Sequence, residues 1–151
     1  METKRKNIKE DIYFEVSAMA VVLCNGKILT TNEIISGKNV LSLPKGHQEK
    51  DEDLLQTAIR ECFEETDIVI DRKDCIKKLT PFTYGFLSQD NQLIKKINHP
   101  YLFSVRFEGT PAIKEERIIA VRWMEIKEFQ RVCTHANIKK LIDEVLELII
   151  M

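Results

Sequence analysis

Three glutamates stand close together near the middle of this 151-residue chain, at Glu61, Glu64 and Glu65. Successive residues of a helix are rotated by about 100°, so this spacing places the three carboxylates on one face. Like charges at such intervals repel one another and weaken a helix unless a positive charge lies between them. Mg²⁺ or Mn²⁺ would supply that charge, because both are hard cations that take oxygen ligands. The cluster therefore indicates a metal site beside a substrate phosphate.

Residues near the cluster suit the same chemistry. Arg60 can pair with Glu64 four residues later or orient its neighbour Glu61. Lys45 offers a point charge for phosphate, and Gly46 allows the backbone to approach a ligand or expose a carbonyl to the metal. Acidic patches on exposed helix faces are nevertheless ordinary, so the glutamates alone are also explained by a solvated surface. The spacing of the wider segment distinguishes the two explanations.

Residues 46–68 form one pattern of fixed positions. These are Gly46, Glu52, Arg60, Glu61, Glu64 and Glu65, followed by Asp67 and apolar Ile68. Chance would produce the six fixed positions about 10⁻⁷ to 10⁻⁸ times per starting residue. The segment resembles the Nudix box, the pyrophosphate-cleaving motif of a hydrolase family. The lead-in at residues 43–47, the opening hairpin, the later strands and the final helix follow the family's order, so the resemblance covers nearly the whole chain.

Asp67 stands where the Nudix box has a glycine. That position falls just past the helix, where left-handed backbone geometry is common. Aspartate tolerates this geometry better than most residues do. We therefore expect a small stability cost and an altered helix exit, without a direct effect on the carboxylates.

The resemblance implies hydrolysis of a nucleoside diphosphate linked to another group, with Mg²⁺ or Mn²⁺ as the cofactor. By carry-over, the metal ligands are Glu61, Glu64, Glu65 and Gly46. Glu61 is the first choice for the base that deprotonates the attacking water, and Arg60 and Glu64 are the other catalytic candidates. Some branches of the family take the base from a later loop. Glu115 or Glu116 is the alternative base here, although each is also explained as a solvated residue.

The candidate substrate-binding residues are Lys45, Glu52 and Tyr84. Glu52 orients the helix start or Arg60, or supports the metal through water. Aromatic residues of the later strands could line a nucleobase pocket, namely Tyr84, Phe86 and Tyr101.

The lead-in at residues 44–47 also indicates a substrate class. It resembles the branch that cleaves dinucleoside polyphosphates such as diadenosine tetraphosphate. Branches that sanitise oxidised nucleoside triphosphates more often carry glycine where Lys45 stands. The alternative function is a non-catalytic nucleotide-binding sensor on the same fold. Such sensors usually lose carboxylates of the box, and this chain retains all of them.

Length predicts a single domain at residues 1–151, in which residues 1–12 form a flexible or loosely attached tail. The 23 Lys and Arg residues nearly balance 24 Asp and Glu residues, so charge indicates neither a nucleic-acid polymer nor a membrane as partner. No apolar stretch approaches the length of about 20 residues that spans a bilayer. Four widely spaced cysteines without a CxxC pair are typical of reduced thiols in the cytoplasm. We expect a small nucleotide as partner, and a monomer or homodimer.

The elements that position these residues follow from apolar periodicity and turn signals. A hairpin is predicted at residues 16–23 and 27–31, a loop at 32–39 and a short strand at 40–43. A helix follows at 53–65 with Asp51 as its N-cap, and strand-like runs lie at 68–70, 76–87, 93–97, 101–107 and 117–124. The amphipathic helix at 137–150 packs on the sheet or binds a partner. The resemblance implies an α/β (α+β) fold, an α/β/α sandwich with a mixed, largely antiparallel sheet between helices.

Overall fold

The computed structural model describes residues 12–88 and 90–150. The tail predicted for residues 1–12 lies outside the described residues except for its last position. The described part contains eight strands, three α-helices and a short 3₁₀ helix at Arg72–Asp74. The strands are β1 (Ile12–Cys24), β2 (Lys27–Ile35), β3 (Lys38–Ser42), β4 (Lys45–His47), β5 (Cys75–Lys78), β6 (Phe82–Leu87), β7 (Leu93–Ser104) and β8 (Ile118–Glu125). The helices are α1 (Leu54–Thr66), α2 (Ile126–Val132) and α3 (Ala136–Ile150).

The strands form one mixed sheet in which most pairings are antiparallel. Strands β1 and β7 pair in parallel along their length, from Ile12 opposite Leu93 to Leu23 opposite Ser104. The other pairings are antiparallel, and the main path runs β3-β2-β1-β7-β5. Strand β4 pairs with β1, β6 with β7, and β8 with β2. The predicted mixed, largely antiparallel sheet is confirmed.

The two faces of the sheet carry separate apolar cores, and β1 contributes to both. Met19 and Val21 belong to the first core, together with buried side chains of α2 and α3. Ala20 belongs to the second core, together with Ala58 and Cys62 of α1. Because both faces of β1 are covered, residues 18–22 are apolar at every position rather than at alternate positions. Helices on opposite faces confirm the predicted sandwich, and the apolar stripe of α3 packs on the sheet. None of the described helices is long and apolar enough to cross a membrane.

Strand β2 is longer than the sequence predicts. Residues 32–39 were expected to form a loop because they are polar, but they extend β2 to Ile35 and enter β3 at Lys38. The turn between the strands uses Ser36 and Gly37, with φ of 51° and 77°. Pairing with β3 on one side and β8 on the other holds this polar stretch in the sheet. Polar composition is a poor guide here because strand hydrogen bonds come from the backbone.

Among the later strand predictions, the run at 117–124 matches β8 within one residue, and the others were wrong in detail. Residues 68–70 are irregular, and Ile68 and Ile70 are buried beside α1 without joining a strand. The run at 76–87 is divided into β5 and β6 near Pro81, which has no backbone N–H for a ladder. The runs at 93–97 and 101–107 form the single strand β7, which ends at Ser104. The short helix α2 was not predicted.

Helix α1 carries the acidic cluster and begins one residue later than predicted. Its N-cap is Asp53 rather than Asp51, because the Asp53 carboxylate accepts a 2.7 Å hydrogen bond from the Gln56 N–H. Asp51 lies in the preceding turn with a φ of 65°. At the other end, Asp67 is left-handed (φ 65°, ψ 11°), and its N–H donates to the Phe63 carbonyl at 2.9 Å. The geometry predicted at the motif's glycine position is confirmed.

Candidate active site

A cleft of about 940 Å³ opens between the start of α1 and the strands β1, β2, β4, β6 and β7. The predicted site residues that line it are Lys45, Gly46, Arg60, Glu61 and Tyr84. By side-chain chemistry its lining has an acidic part at α1, a cationic part (Lys45, Lys96 and Arg117) and an apolar part (Ile34, Ile35, Tyr84, Phe86 and Leu87). The last two adjoin, because Lys96 Nζ lies 6.0 Å from the centre of the Phe86 ring. A space of this size and mixed chemistry is typical of a small-molecule site.

Glu61 is packed directly against Gly46 at the acidic part. Pairing of β4 with β1 places Gly46 opposite Ala18, on the side of the sheet covered by α1. A Cβ atom at position 46 would overlap the carboxylate of Glu61. Glu61 is only 8% exposed as a result. The glycine of the motif therefore provides room for the Glu61 carboxylate, rather than an unusual backbone angle.

Arg60 is the centre of a local ion-pair network on α1. Its Nε and Nη2 donate to the two carboxylate oxygens of Glu52 at 2.8 and 3.0 Å. Its Nη1 donates to Glu64 at 2.9 Å and to Glu61 at 3.2 Å, which confirms the expected pairing with Glu64. Nη2 also donates to the His47 carbonyl at 2.9 Å, which ties α1 to β4. Bidentate pairing of this kind fixes the plane of the guanidinium.

Glu52 lies against Arg60 rather than in the lining of the cleft. Its carboxylate also accepts hydrogen bonds from the Thr57 hydroxyl at 2.7 Å and the Glu49 N–H at 3.1 Å. The hydrogen bond from Arg60 is the main reason that the pKa of Glu52 falls to about 2. These contacts support its predicted role in orienting Arg60, while direct contact with substrate stays a prediction.

A second network, which sequence reasoning missed, lies around Arg117. Its Nη1 donates to Glu33 at 2.5 Å, and its Nη2 donates to Glu65 at 2.7 Å. Lys45 Nζ donates to the other oxygen of Glu33 at 2.5 Å. Glu33 lies in the polar stretch that was predicted to be a loop, and Arg117 immediately precedes β8. Neither residue belongs to the motif, so no spacing in the sequence connects them.

Burial separates the three glutamates of the cluster. Glu65 is 1% exposed, whereas Glu64 remains partly exposed. Burial raises the pKa of Glu61 to about 7, although the charge of Arg60 opposes the shift. Burial likewise raises the pKa of Glu65 to about 8 against the charges of Lys45 and Arg117. A solvated acidic face does not bury its carboxylates, so the surface explanation fails for Glu61 and Glu65.

The donor chemistry of the acidic part suits a hard divalent cation. The predicted ligands are three carboxylates and the backbone of Gly46, which offer oxygen atoms alone. Within residues 12–88 and 90–150, no three acidic, histidine or cysteine side chains are arranged to hold a metal ion. Instead Arg60 neutralises Glu61 and Glu64, and Arg117 neutralises Glu65. The acidic cluster therefore pairs with cationic groups. The assignment of its three glutamates and Gly46 as metal ligands stays a prediction.

The remaining candidates occupy different places. Glu115 lies 3.4 Å from Nη2 of Arg117 and close enough to Glu61 to influence its pKa, whereas Glu116 is exposed. Tyr84 and Phe86 line the cleft, as a nucleobase pocket would require. Tyr101 instead packs against the second core, beside α1.

Residues 14–145 match the family described as the NUDIX domain. The chain belongs to the Nudix family. Among the solved structures that this Nudix chain resembles is the NUDIX domain of Shewanella oneidensis NrtR in complex with ADP ribose. The two align with a TM-score of 0.74 and 17% identity, over 99% of each chain. At that identity the likeness shows the fold alone.

Two curated relatives match this Nudix chain in sequence. Over 114 residues it is 34% identical to MutT4 of Mycobacterium tuberculosis, whose name describes a mutator protein; the match covers 75% of the chain and 44% of MutT4. Over 53 residues it is 45% identical to the phosphatase NudJ of Escherichia coli, and this match covers 35% of each protein. The matched segments thus span less than half the length of either relative.

Proposed function

We propose that this Nudix chain hydrolyses a phosphoanhydride bond in a nucleoside diphosphate linked to another group, with Mg²⁺ or Mn²⁺ as cofactor. The observation that carries the proposal is the burial of Glu61 against Gly46, in a cleft that also contains Lys45, Lys96 and Arg117. Carboxylates beside cations suit a site that handles both a metal and phosphate groups.

The chain's own residues account for positioning and proton transfer. Lys45 attracts the phosphate chain, and the network of Arg60 and Glu52 fixes Glu61 and Glu64 at the acidic part. Glu61, whose pKa burial raises in the metal-free site, is the candidate to accept a proton from the attacking water. When bound, a divalent ion neutralises phosphate charge and lowers the pKa of a bound water. Glu115 is the nearer alternative base, ahead of the exposed Glu116.

The apolar part of the cleft supports a nucleotide as substrate. Tyr84 and Phe86 offer aromatic rings for a base, and Lys45, which lines the same cleft, offers positive charge for the phosphates. Within nucleotides we favour a dinucleoside polyphosphate, following the lead-in at residues 44–47. We place the protein in the cytoplasm as a monomer or homodimer of a single domain that acts on a small nucleotide, and size-exclusion chromatography tests the assembly state.

A substrate panel tests the proposal directly. Dinucleoside polyphosphates, nucleoside triphosphates, nucleotide sugars and ADP-ribose are incubated with the protein, with Mg²⁺ or with EDTA, and products are separated by chromatography. We expect metal-dependent turnover of at least one compound. Glu64→Gln and Glu65→Gln should each reduce it, while Glu147→Gln on the exposed side of α3 should not. Full activity in both Glu64→Gln and Glu65→Gln would show that the metal site is wrongly assigned.

The alternative function is a nucleotide-binding sensor without turnover. The fold shared with the NrtR domain that was solved with ADP ribose is the observation that favours it. Calorimetric titration with ADP-ribose discriminates between the two functions. Tight binding together with no hydrolysis of any panel compound would favour the sensor.

A further inference from the structure

Four charged side chains at the cationic part of the cleft form a continuous network. Glu33 of β2 receives Lys45 Nζ on one carboxylate oxygen and Arg117 Nη1 on the other, both at 2.5 Å. The remaining terminal nitrogen of Arg117 donates to Glu65 at 2.7 Å. One guanidinium thus joins β2 to the acidic face of α1.

Exposure divides this network into two layers. The side chains of Glu33 and Glu65 are 3% and 1% exposed, whereas those of Lys45 and Arg117 are 19% and 48% exposed. The carboxylates therefore lie behind, and the cations face the cleft. The exposed half of Arg117 is available to a ligand.

The chemistry of Arg117 suits a phosphate chain. A guanidinium has five N–H donors in a planar fork, and its hydrogen bonds to Glu33 and Glu65, with Glu115 3.4 Å from Nη2, leave donors free. Such a fork matches the oxygens of phosphate, and a buried carboxylate behind it limits its rotation. Lys45 and Lys96 line the same cleft, so several phosphates of one chain would find positive charge there.

We propose that Arg117 binds the phosphate chain of the substrate, and that Glu33 is the positioning residue that holds Arg117 and Lys45 in the cleft. The inference rests on the proposed function, since it assigns a contact to the substrate of that reaction. It places a substrate-binding residue outside residues 46–68. Arg117 touches the substrate, whereas Glu33 acts through the two cations.

The first test compares Arg117→Ala with Arg122→Ala, which removes an exposed arginine of β8 that does not line the cleft. KM and kcat are measured on the best substrate of the panel. Binding of imidodiphosphate, a non-hydrolysable pyrophosphate analogue, is measured by calorimetry with Mg²⁺. Arg117→Ala should raise both KM and the imidodiphosphate Kd about tenfold, because it removes charge-assisted hydrogen bonds. Arg122→Ala should change neither quantity.

The second test isolates the role of Glu33. Glu33→Gln keeps the size of the side chain and removes its charge, so KM should rise while kcat changes little. In the Glu33→Gln background, Arg117→Ala should raise KM by a smaller factor than in the wild type, because Arg117 has already lost its anchor. Thermal unfolding checks that each variant is folded. If Glu33→Gln does not fold, the partly exposed Arg117 remains testable by its own substitution.

The outcomes separate this inference from the proposed function. If a panel substrate is hydrolysed and Arg117→Ala leaves both KM and imidodiphosphate binding unchanged, the assignment of Arg117 is overturned and the hydrolysis stands. If the wild type hydrolyses no panel compound yet binds imidodiphosphate through Arg117, the hydrolysis is refuted and the phosphate contact stands. If neither turnover nor binding occurs, both are refuted.

Discussion

The two arginines of the candidate site are held in different ways. Arg60 contacts Glu61, Glu64 and Glu52, which lie one, four and eight residues away in the chain. The hydrogen-bond partners of Arg117 are Glu65 and Glu33, which lie 52 and 84 residues away, and Glu115, two residues away, lies 3.4 Å from it. Both arginines neutralise glutamates of the same acidic cluster. The Arg60–Glu64 pair follows from the periodicity of one helix and the Glu52 contact from the turn just before it. The contacts of Arg117 with Glu33 and Glu65 exist only because β2, β8 and α1 pack together.

This difference shows which contacts a sequence motif can reveal and which depend on tertiary packing. A helix brings residues four apart onto one face whatever the rest of the chain does, so the pairing of Arg60 with Glu64 is visible in the sequence. The Arg117 network depends on the register of β2 with β8 and on the extension of β2 to Ile35. If the reaction depends more on the local network than on the long-range one, substitutions in the local network should cost more activity.

The largest effect is expected for Glu61→Gln, which removes the first-choice base from the local network. Turnover of the best panel substrate should fall about 10³-fold, as loss of a general base and a metal ligand requires. Glu115→Gln, which removes the carboxylate beside Arg117, should reduce turnover less than about threefold, because its charge is partly exposed. Steady-state kinetics at saturating Mg²⁺ measures both. The reverse order of effects would assign the base to Glu115.

Gly46→Ala should give the next largest effect. The added Cβ overlaps the Glu61 carboxylate and must displace it. A shift of about 1 Å in a catalytic group can cost on the order of 10²-fold in kcat. Gly85→Ala on β6 is the matched control, since its Cβ would meet the nearest atom at an ordinary 3.5 Å. Unchanged kcat in a folded Gly46→Ala protein would contradict the packing argument.

The pH dependence of stability should distinguish buried carboxyls from the carboxylate held by Arg60. Because the folded pKa values of Glu61 and Glu65 are about 7 and 8 against the usual 4.5, the folded state binds more protons in that range. Stability of the metal-free protein should therefore fall as pH rises from about 4.5 to about 8. Glu52, with a pKa of about 2, contributes stability that is lost as pH falls from about 4.5 to about 2.

Urea denaturation in EDTA across these pH values measures both losses of stability, the one above about pH 4.5 and the one below it. Glu61→Gln should reduce the loss of stability above about pH 4.5 and leave the loss at lower pH unchanged. A stability curve that rises steadily from pH 5 to pH 8 would contradict the burial of Glu61 and Glu65 as the main cause of their shifts.

The smallest effect is expected for Asp67→Gly, which restores the residue of the motif. Asp67 holds a φ of 65°, and glycine removes a left-handed backbone cost of at most about 1 to 2 kcal/mol. The substitution also removes a partly exposed ion pair with Lys114, which contributes little. Urea denaturation should show a small gain in stability, and kcat should stay within error of the wild type. A large change in kcat would show that the backbone at the end of α1 affects the Arg60 network.

Much of the fold could be predicted from the sequence, and the errors share one cause. Helix α1, the opening hairpin and α3 were predicted within a residue or a few residues, because their apolar periodicity or turn signal is local. The extension of β2, the irregular path of residues 68–70 and the single strand β7 were missed, because each depends on which strands lie alongside. The predicted N-cap, Asp51, was wrong because the helix begins one residue later than its apolar pattern indicates, so that Asp53 caps it.

The sequence by itself determined the type of chemistry. Arg60 and the three glutamates lie within six residues of one helix, so their arrangement on its surface follows wherever the helix forms. Only the tertiary structure decided which carboxylates are buried and which cations neutralise them. Burial of Glu61 depends on the pairing of β4 with β1, and that of Glu65 on the side chains packed over it. These contacts join residues far apart in the chain, and no local pattern specifies which of them will be brought together.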